Sequence, residues 1–134
     1  LSTIRMCKEL VPAMQERCWG RVIAITSSTV REPSPVLIPS TTARAGLTGF
    51  LKTMATEVAP DGVTVNSVQP GPHATARLAE IYDDLEAVAA SVPVRRLGDP
   101  DDFGRVVAFL CSESARSITG AALPVEGGSL RAIQ

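Results

Sequence analysis

The sequence predicts an α/β fold in which a parallel sheet carries helices on both faces. Three observations predict it. The run Arg21–Thr26 is almost continuously apolar and rich in β-branched residues, as expected of a strand covered on both faces. A second β-branched run, Val63–Val68, follows a turn signal. Around both lie longer segments whose apolar residues recur at helical spacing. The resulting order is α-β-α-β-α-α-β, without repeats or low-complexity tracts. Helices of this length between strands imply right-handed crossovers.

The elements follow in order. From Leu1, the residues Ile4, Cys7, Val11 and Met14, with Leu10 beside them, form one apolar helix face that Trp19-Gly20 ends. The strand Arg21–Thr26 leads into a Ser- and Pro-rich loop, Ser27–Pro39. Ser40 then has the position of a helix N-cap. Leu47, Phe50, Leu51, Met54, Ala55 and Val58 mark the clearest helix, and Pro60-Asp61-Gly62 a turn. Val63–Val68 is the second strand, broken by Gln69-Pro70-Gly71-Pro72. A third helix is expected over Arg77–Ser91, with Leu78, Ile81, Tyr82, Leu85, Val88 and Ala89 on one face. Asp99 as N-cap, Pro100 at the first turn and Asp102 within it open a fourth, with Phe103, Val106, Val107 and Leu110 as its stripe. The last strand, Ala121–Val125, contains Pro124 and so belongs near a sheet edge.

Composition bounds the function. Hydrophobic residues make up 45% of the 134 and charged residues 20%, enough for a packed core. Thirteen Lys and Arg against fourteen Asp and Glu give a formal net charge of -1, without the basic footprint of a nucleic-acid binder. No apolar run reaches the roughly 20 residues a membrane-spanning helix needs. Cys7, Cys18 and Cys111 are scattered and His73 is the single histidine, so neither a metal site nor a disulfide framework is expected. A reducing, cytoplasmic compartment fits that usage. The chain opens on Leu1 in what reads as helix interior, and three parallel strands leave one side of the first open. The expectation is that more of the domain precedes it.

Five segments carry a family resemblance. Gly20–Ser28 (Gly-Arg-Val-Ile-Ala-Ile-Thr-Ser-Ser), Thr42–Gly49 (Thr-Ala-Arg-Ala-Gly-Leu-Thr-Gly) and Val63–Gly71 (Val-Thr-Val-Asn-Ser-Val-Gln-Pro-Gly) resemble the short-chain dehydrogenases/reductases, notably the 3-oxoacyl-ACP-reductase-like members. So do Arg96–Asp102 and Ile118–Gly128, in the same order and spacing. The resemblance implies a Rossmann-type doubly wound parallel sheet, of which residues 1–134 would supply the last three strands as the C-terminal part of a single domain. The family's glycine-rich phosphate loop and catalytic Asn would lie upstream.

The resemblance also implies a chemistry: hydride transfer between NAD or NADP and a small-molecule carbonyl or secondary alcohol. In the family a Ser polarises the oxygen, a Tyr thirteen residues on gives the proton, and a Lys four further lowers the Tyr pKa and binds ribose. Ser27 occupies the first position, but Ser40 and Arg44 stand at the other two. A phenol begins near pKa of about 10, far below an aliphatic hydroxyl, so Ser40 is a poor replacement acid. Arg44 keeps the charge in a different geometry and could still bind ribose or phosphate. Lys8 and Lys52 are elsewhere. Pro70, Gly71 and Thr75 resemble the segment that touches the nicotinamide. Tyr82 reads as a packing residue, His73 as a surface or pocket residue, and Asn66 as a brace. The outer faces of the first two helices resemble the family's oligomer contact, implying a homodimer or homotetramer. The alternative is a catalytically silent relative that binds nucleotide or forms oligomers.

Overall fold

A computed structural model describes residues 2–131 and 133; Leu1, the expected start of the first helix, lies outside them. Three parallel strands, β1 (Gly20–Ile25), β2 (Val63–Pro70) and β3 (Ala122–Val125), form one sheet in the order β1-β2-β3. Gly20 pairs with Val63 and Ile25 with Val68, while Ser67 faces Ala122 and Pro70 faces Val125. β2 is central and almost wholly buried. β1 and β3 are edges, so Pro124 lies where a missing backbone donor is tolerated. On β1 only the end residue Ile25 is exposed, at 60%, and the rest of the strand is buried or half-buried.

Alternate strand residues point to opposite faces and build two cores. On one face Val22, Ala24, Val63 and Val65 pack against Cys7, Val11 and Met14 of α1 (Ser2–Glu16). Leu51, Met54, Ala55 and Val58 of α2 (Ile38–Val58) complete that layer. On the other face Ile23, Val68 and Val125 meet Phe103, Val107 and Leu110 of α5 (Pro100–Cys111). Each fully buried Val or Leu contributes on the order of 1.5–3 kcal/mol. These two layers place helices on both faces, as predicted.

Two local expectations are corrected. The segment Arg77–Ser91 is not one helix but two, α3 (Ala76–Ile81) and α4 (Leu85–Ser91). Tyr82 is extended between them, and Asp84 caps α4 by accepting the Ala87 N–H at 2.9 Å. A carboxylate that bonds a nearby amide competes with a continuous helix, and here it overrides the apolar stripe. Neither helix buries a residue, and Tyr82 is 40% exposed instead of packed. Ser40 is not the N-cap of α2, which begins two residues earlier at Ile38 with Pro39 in its first turn. The Asp99 cap of α5 is present, its Oδ1 accepting the Asp101 N–H at 2.7 Å.

Candidate active site

Because the strands are parallel, their carboxyl ends open on one edge of the sheet. Ser27 follows β1 there, Pro70 and Gly71 end β2, and Glu126 follows β3. That edge is where open α/β sheets hold ligands.

Ser27 has extended backbone and caps a single 3-10 turn, Ser28–Val30. Its Oγ accepts the Thr29 N–H at 3.2 Å and lies 2.9 Å from Thr29 Oγ1. Thr29 Oγ1 in turn lies 3.1 Å from Thr41 Oγ1, in the first turn of α2. These hydroxyls join the end of β1 to the residues that follow Ser40. Ser40 Oγ accepts from Arg44 Nη1 at 2.5 Å, one helical turn on, and both residues are half-buried. Among the described residues no carboxylate pairs with Arg44. The structure thus sets Ser40 and Arg44 in contact and links Ser27 to the same turn of α2.

The second loop is held differently. The Gly71 N–H donates to Val125 O at 3.0 Å, and a Cβ on Gly71 would lie 2.6 Å from Glu126 Cβ. Its lack of a side chain lets the exits of β2 and β3 touch. Thr75 caps α3, its Oγ1 accepting the Leu78 N–H at 3.3 Å, a bond that does not use its own hydroxyl hydrogen. His73 donates from Nδ1 to Gly71 O at 3.0 Å and meets the Phe103 ring edge-on, with centroids 5.1 Å apart. With Val92, Leu97, Val125 and Glu126 these two rings line a cavity of about 190 Å³. Asn66 is a brace as expected: it is 1% exposed, its Nδ2 donates to Ile118 O and its Oδ1 accepts the Ala121 N–H.

Thr29, Thr41 and Arg31 are the residues that sequence reasoning passed over. Arg31 donates to Gln69 Oε1 at 2.7 Å and to Ala122 O at 2.7 Å, tying the loop after β1 to β2 and β3. The signal for the threonines was present in two hydroxyl-rich runs, Thr26–Thr29 and Ser40–Thr42. Neither run shows which hydroxyls meet. Among the described residues no group of His, Cys, Asp or Glu is clustered to hold a metal ion. Among the described residues no helix is long and apolar enough to cross a membrane.

Comparison with known proteins identifies the family. A family model described as enoyl-(acyl carrier protein) reductase matches residues 1–129. Acetoacetyl-CoA reductase of Cupriavidus necator is 38% identical over 128 residues, covering 95% of this chain and 52% of the relative. Human dehydrogenase/reductase SDR family member 4 is 37% identical over 127 residues, covering 92% of this chain and 46% of the relative. The crystal structure of YwfH, an NADPH-dependent reductase involved in bacilysin biosynthesis, superposes with a TM-score of 0.93 at 29% identity, covering 98% of this chain and 55% of that one. The chain spans about half the length of the curated relatives it matches. With its Rossmann-type sheet and a match along nearly its whole length, this chain belongs to the short-chain dehydrogenase/reductase family.

Proposed function

We propose that this chain forms the C-terminal part of a Rossmann domain whose activity is NAD(P)-dependent hydride transfer to or from a small-molecule carbonyl or secondary alcohol. The observation that carries the reading is the hydroxyl link from Ser27, at the carboxyl end of β1, to the turn of α2 that bears the Ser40–Arg44 pair, with β2 pairing beside β1 and leading into Pro70–Gly71. The donors present suit the nicotinamide end of a dinucleotide. Arg44 offers a guanidinium without a carboxylate partner among the described residues, and Thr75 a hydroxyl hydrogen that its capping bond does not use. The Gly71 amide is taken up by Val125 O, so Gly71 serves by close packing.

A reduced nicotinamide supplies hydride when bound. The proton that completes the alcohol comes from solvent water, because an aliphatic hydroxyl such as that of Ser40 is too weak an acid to give it, and the residues of this chain manage the oxygen. Ser27 donates a hydrogen bond to it and stabilises the charge that develops there. Arg44 holds Ser40 Oγ as an acceptor, so the one hydrogen Ser40 has left is directed away from Arg44. Arg44 also places a fixed positive charge beside the site. The exposed Met6 and Leu10 on α1 support a homo-oligomeric contact on that face, and three free thiols fit a reducing, cytoplasmic setting.

The test uses the protein as its gene encodes it. Absorbance of NADPH and NADH is followed over a panel of ketones, aldehydes and 3-oxoacyl thioesters. Turnover is expected, and Ser27→Ala lowers it by roughly 10²–10³-fold, as for loss of an oxyanion donor. The second reading, a silent nucleotide-binding or oligomer-forming relative, draws on Ser40 and Arg44 at the positions of the family's Tyr and Lys. Tight cofactor binding without turnover on any member of the panel would establish it instead.

A further inference from the structure

We propose that Thr29 and Thr41 form a directional hydroxyl chain that sets Ser27 as a hydrogen-bond donor facing the open edge of the sheet. The assignment rests on the oxidoreductase reading for its purpose, and on geometry for its direction. Each hydroxyl has one hydrogen to give and two lone pairs to receive. Ser27 Oγ already accepts the Thr29 N–H, whose direction is fixed because a backbone amide can only donate.

The far end of the chain decides the rest. Four other threonines of α2 each give their hydrogen to the carbonyl four residues back: Thr42 to Ile38, Thr48 to Arg44, Thr53 to Gly49 and Thr56 to Lys52. Thr41 departs from that habit and reaches across to Thr29 Oγ1 at 3.1 Å. Among the described residues Thr29 is the one acceptor it meets, so its hydrogen points there. Thr29 then gives its own hydrogen to Ser27 across 2.9 Å. Ser27 has both lone pairs occupied and a single hydrogen left, which faces away from Thr29.

Such a chain acts in two ways. It removes the freedom of the Ser27 hydroxyl to turn inward, so no reorganisation is needed when an oxygen arrives. Aligned hydroxyls also polarise one another and strengthen the terminal donor. The oxygen best served is one that gains negative charge, a carbonyl receiving hydride. Thr29 and Thr41 are positioning residues in this scheme, acting only through Ser27.

Two measurements decide it. Neutron diffraction of the perdeuterated protein is expected to show the Thr41 deuteron on the line to Thr29 and the Thr29 deuteron on the line to Ser27. A Ser27 deuteron pointing at Thr29 overturns the proposal, whether or not the protein turns over. The second measurement is kinetic. Thr29→Val keeps the shape and the N–H but loses the hydroxyl, and is expected to lower kcat about tenfold, less than loss of the Ser27 donor itself, with cofactor KM unchanged. Thr41→Val has a smaller effect in the same direction, and Thr29→Ser and Thr41→Ser retain activity. In a Ser27→Ala background Thr29→Val adds nothing further. An additive loss there, or an unchanged kcat in Thr29→Val, overturns the positioning role. Absence of turnover in the parent protein, with deuterons placed as stated, overturns the oxidoreductase reading and leaves the donor setting standing.

Discussion

Glycine-to-alanine substitution should have opposite signs at Gly62 and Gly104, and the contrast tests the packing directly. Gly62 ends the turn before β2 with φ +71, in the left-handed region. A Cβ there would lie 2.5 Å from Cys18 O, a backbone atom with little room to move. The left-handed conformation costs an L-residue about 1–2 kcal/mol. Forcing an atom into a filled space adds roughly 1–3 kcal/mol. Gly62→Ala should therefore lose about 3 kcal/mol, a large part of a native stability of about 5–15 kcal/mol. With a urea dependence of about 2 kcal/mol/M, the unfolding midpoint falls by about 1.5 M. Gly104 sits within α5, and a Cβ on it would meet nothing within 4 Å. Gly104→Ala should gain about 0.5–1 kcal/mol from helix propensity and the unfolded chain. Its midpoint rises by roughly 0.3–0.5 M at the same slope. Urea titration followed by far-UV circular dichroism at fixed protein concentration measures both. Gly62→Asn separates the two contributions, since Asn tolerates the left-handed region while keeping the Cβ. It should regain about 1 kcal/mol over Gly62→Ala. Midpoints that fall equally at Gly62 and Gly104, or a neutral Gly62→Ala, would refute the reasoning.

Asn66→Ala should cost about 2–3 kcal/mol, because the half-buried Ile118 O and Ala121 N–H lose their partners together; thermal unfolding monitored by circular dichroism checks it. Burial pushes the Cys7 thiol above its ordinary value. A raised pKa in the folded state favours the neutral thiol. Its contribution is therefore complete below the unfolded value of about 8.5 and declines as pH rises beyond it. Stability should fall across that alkaline range in the parent protein and fall less in Cys7→Ala. In thiol labelling at neutral pH, exposed Cys18 and Cys111 should react quickly and Cys7 only on unfolding. Finally, the double substitution Ser40→Tyr/Arg44→Lys restores a phenol beside an amine. It should raise turnover by about 10²-fold, within the range of general acid catalysis, if the parent works by the proposed route; an unchanged or lower rate on the same carbonyl panel counts against that route.

Much of the fold was legible because it follows from local periodicity. The strands around Val22–Ile25 and Val63–Val68, the stripe Leu47–Val58 and the Asp99-Pro100 start each satisfy a rule that needs only neighbouring residues. The break at Tyr82 was not legible. The stripe continues across it, and the cap made by Asp84 outweighs apolar contacts that α3 and α4 never complete. The start of α2 was also misplaced. Ser40 is a good capping residue, but Pro39 already sits in the first turn and the helix begins at Ile38, two residues before it.

By itself the sequence determined the layer architecture, the edge position of β3 and the place of Ser27 at the end of β1, since these depend on pattern and order along the chain. Only the tertiary structure decided which groups meet. Thr41 reaches Thr29 across 12 positions and Arg31 reaches Gln69 across 38, while Glu126 presses on Gly71 through the pairing of β2 and β3. Hydrogen bonds and close contacts depend on distances of a few tenths of an ångström. Such distances are set by how the helices and strands pack on one another, which no local pattern along the chain contains.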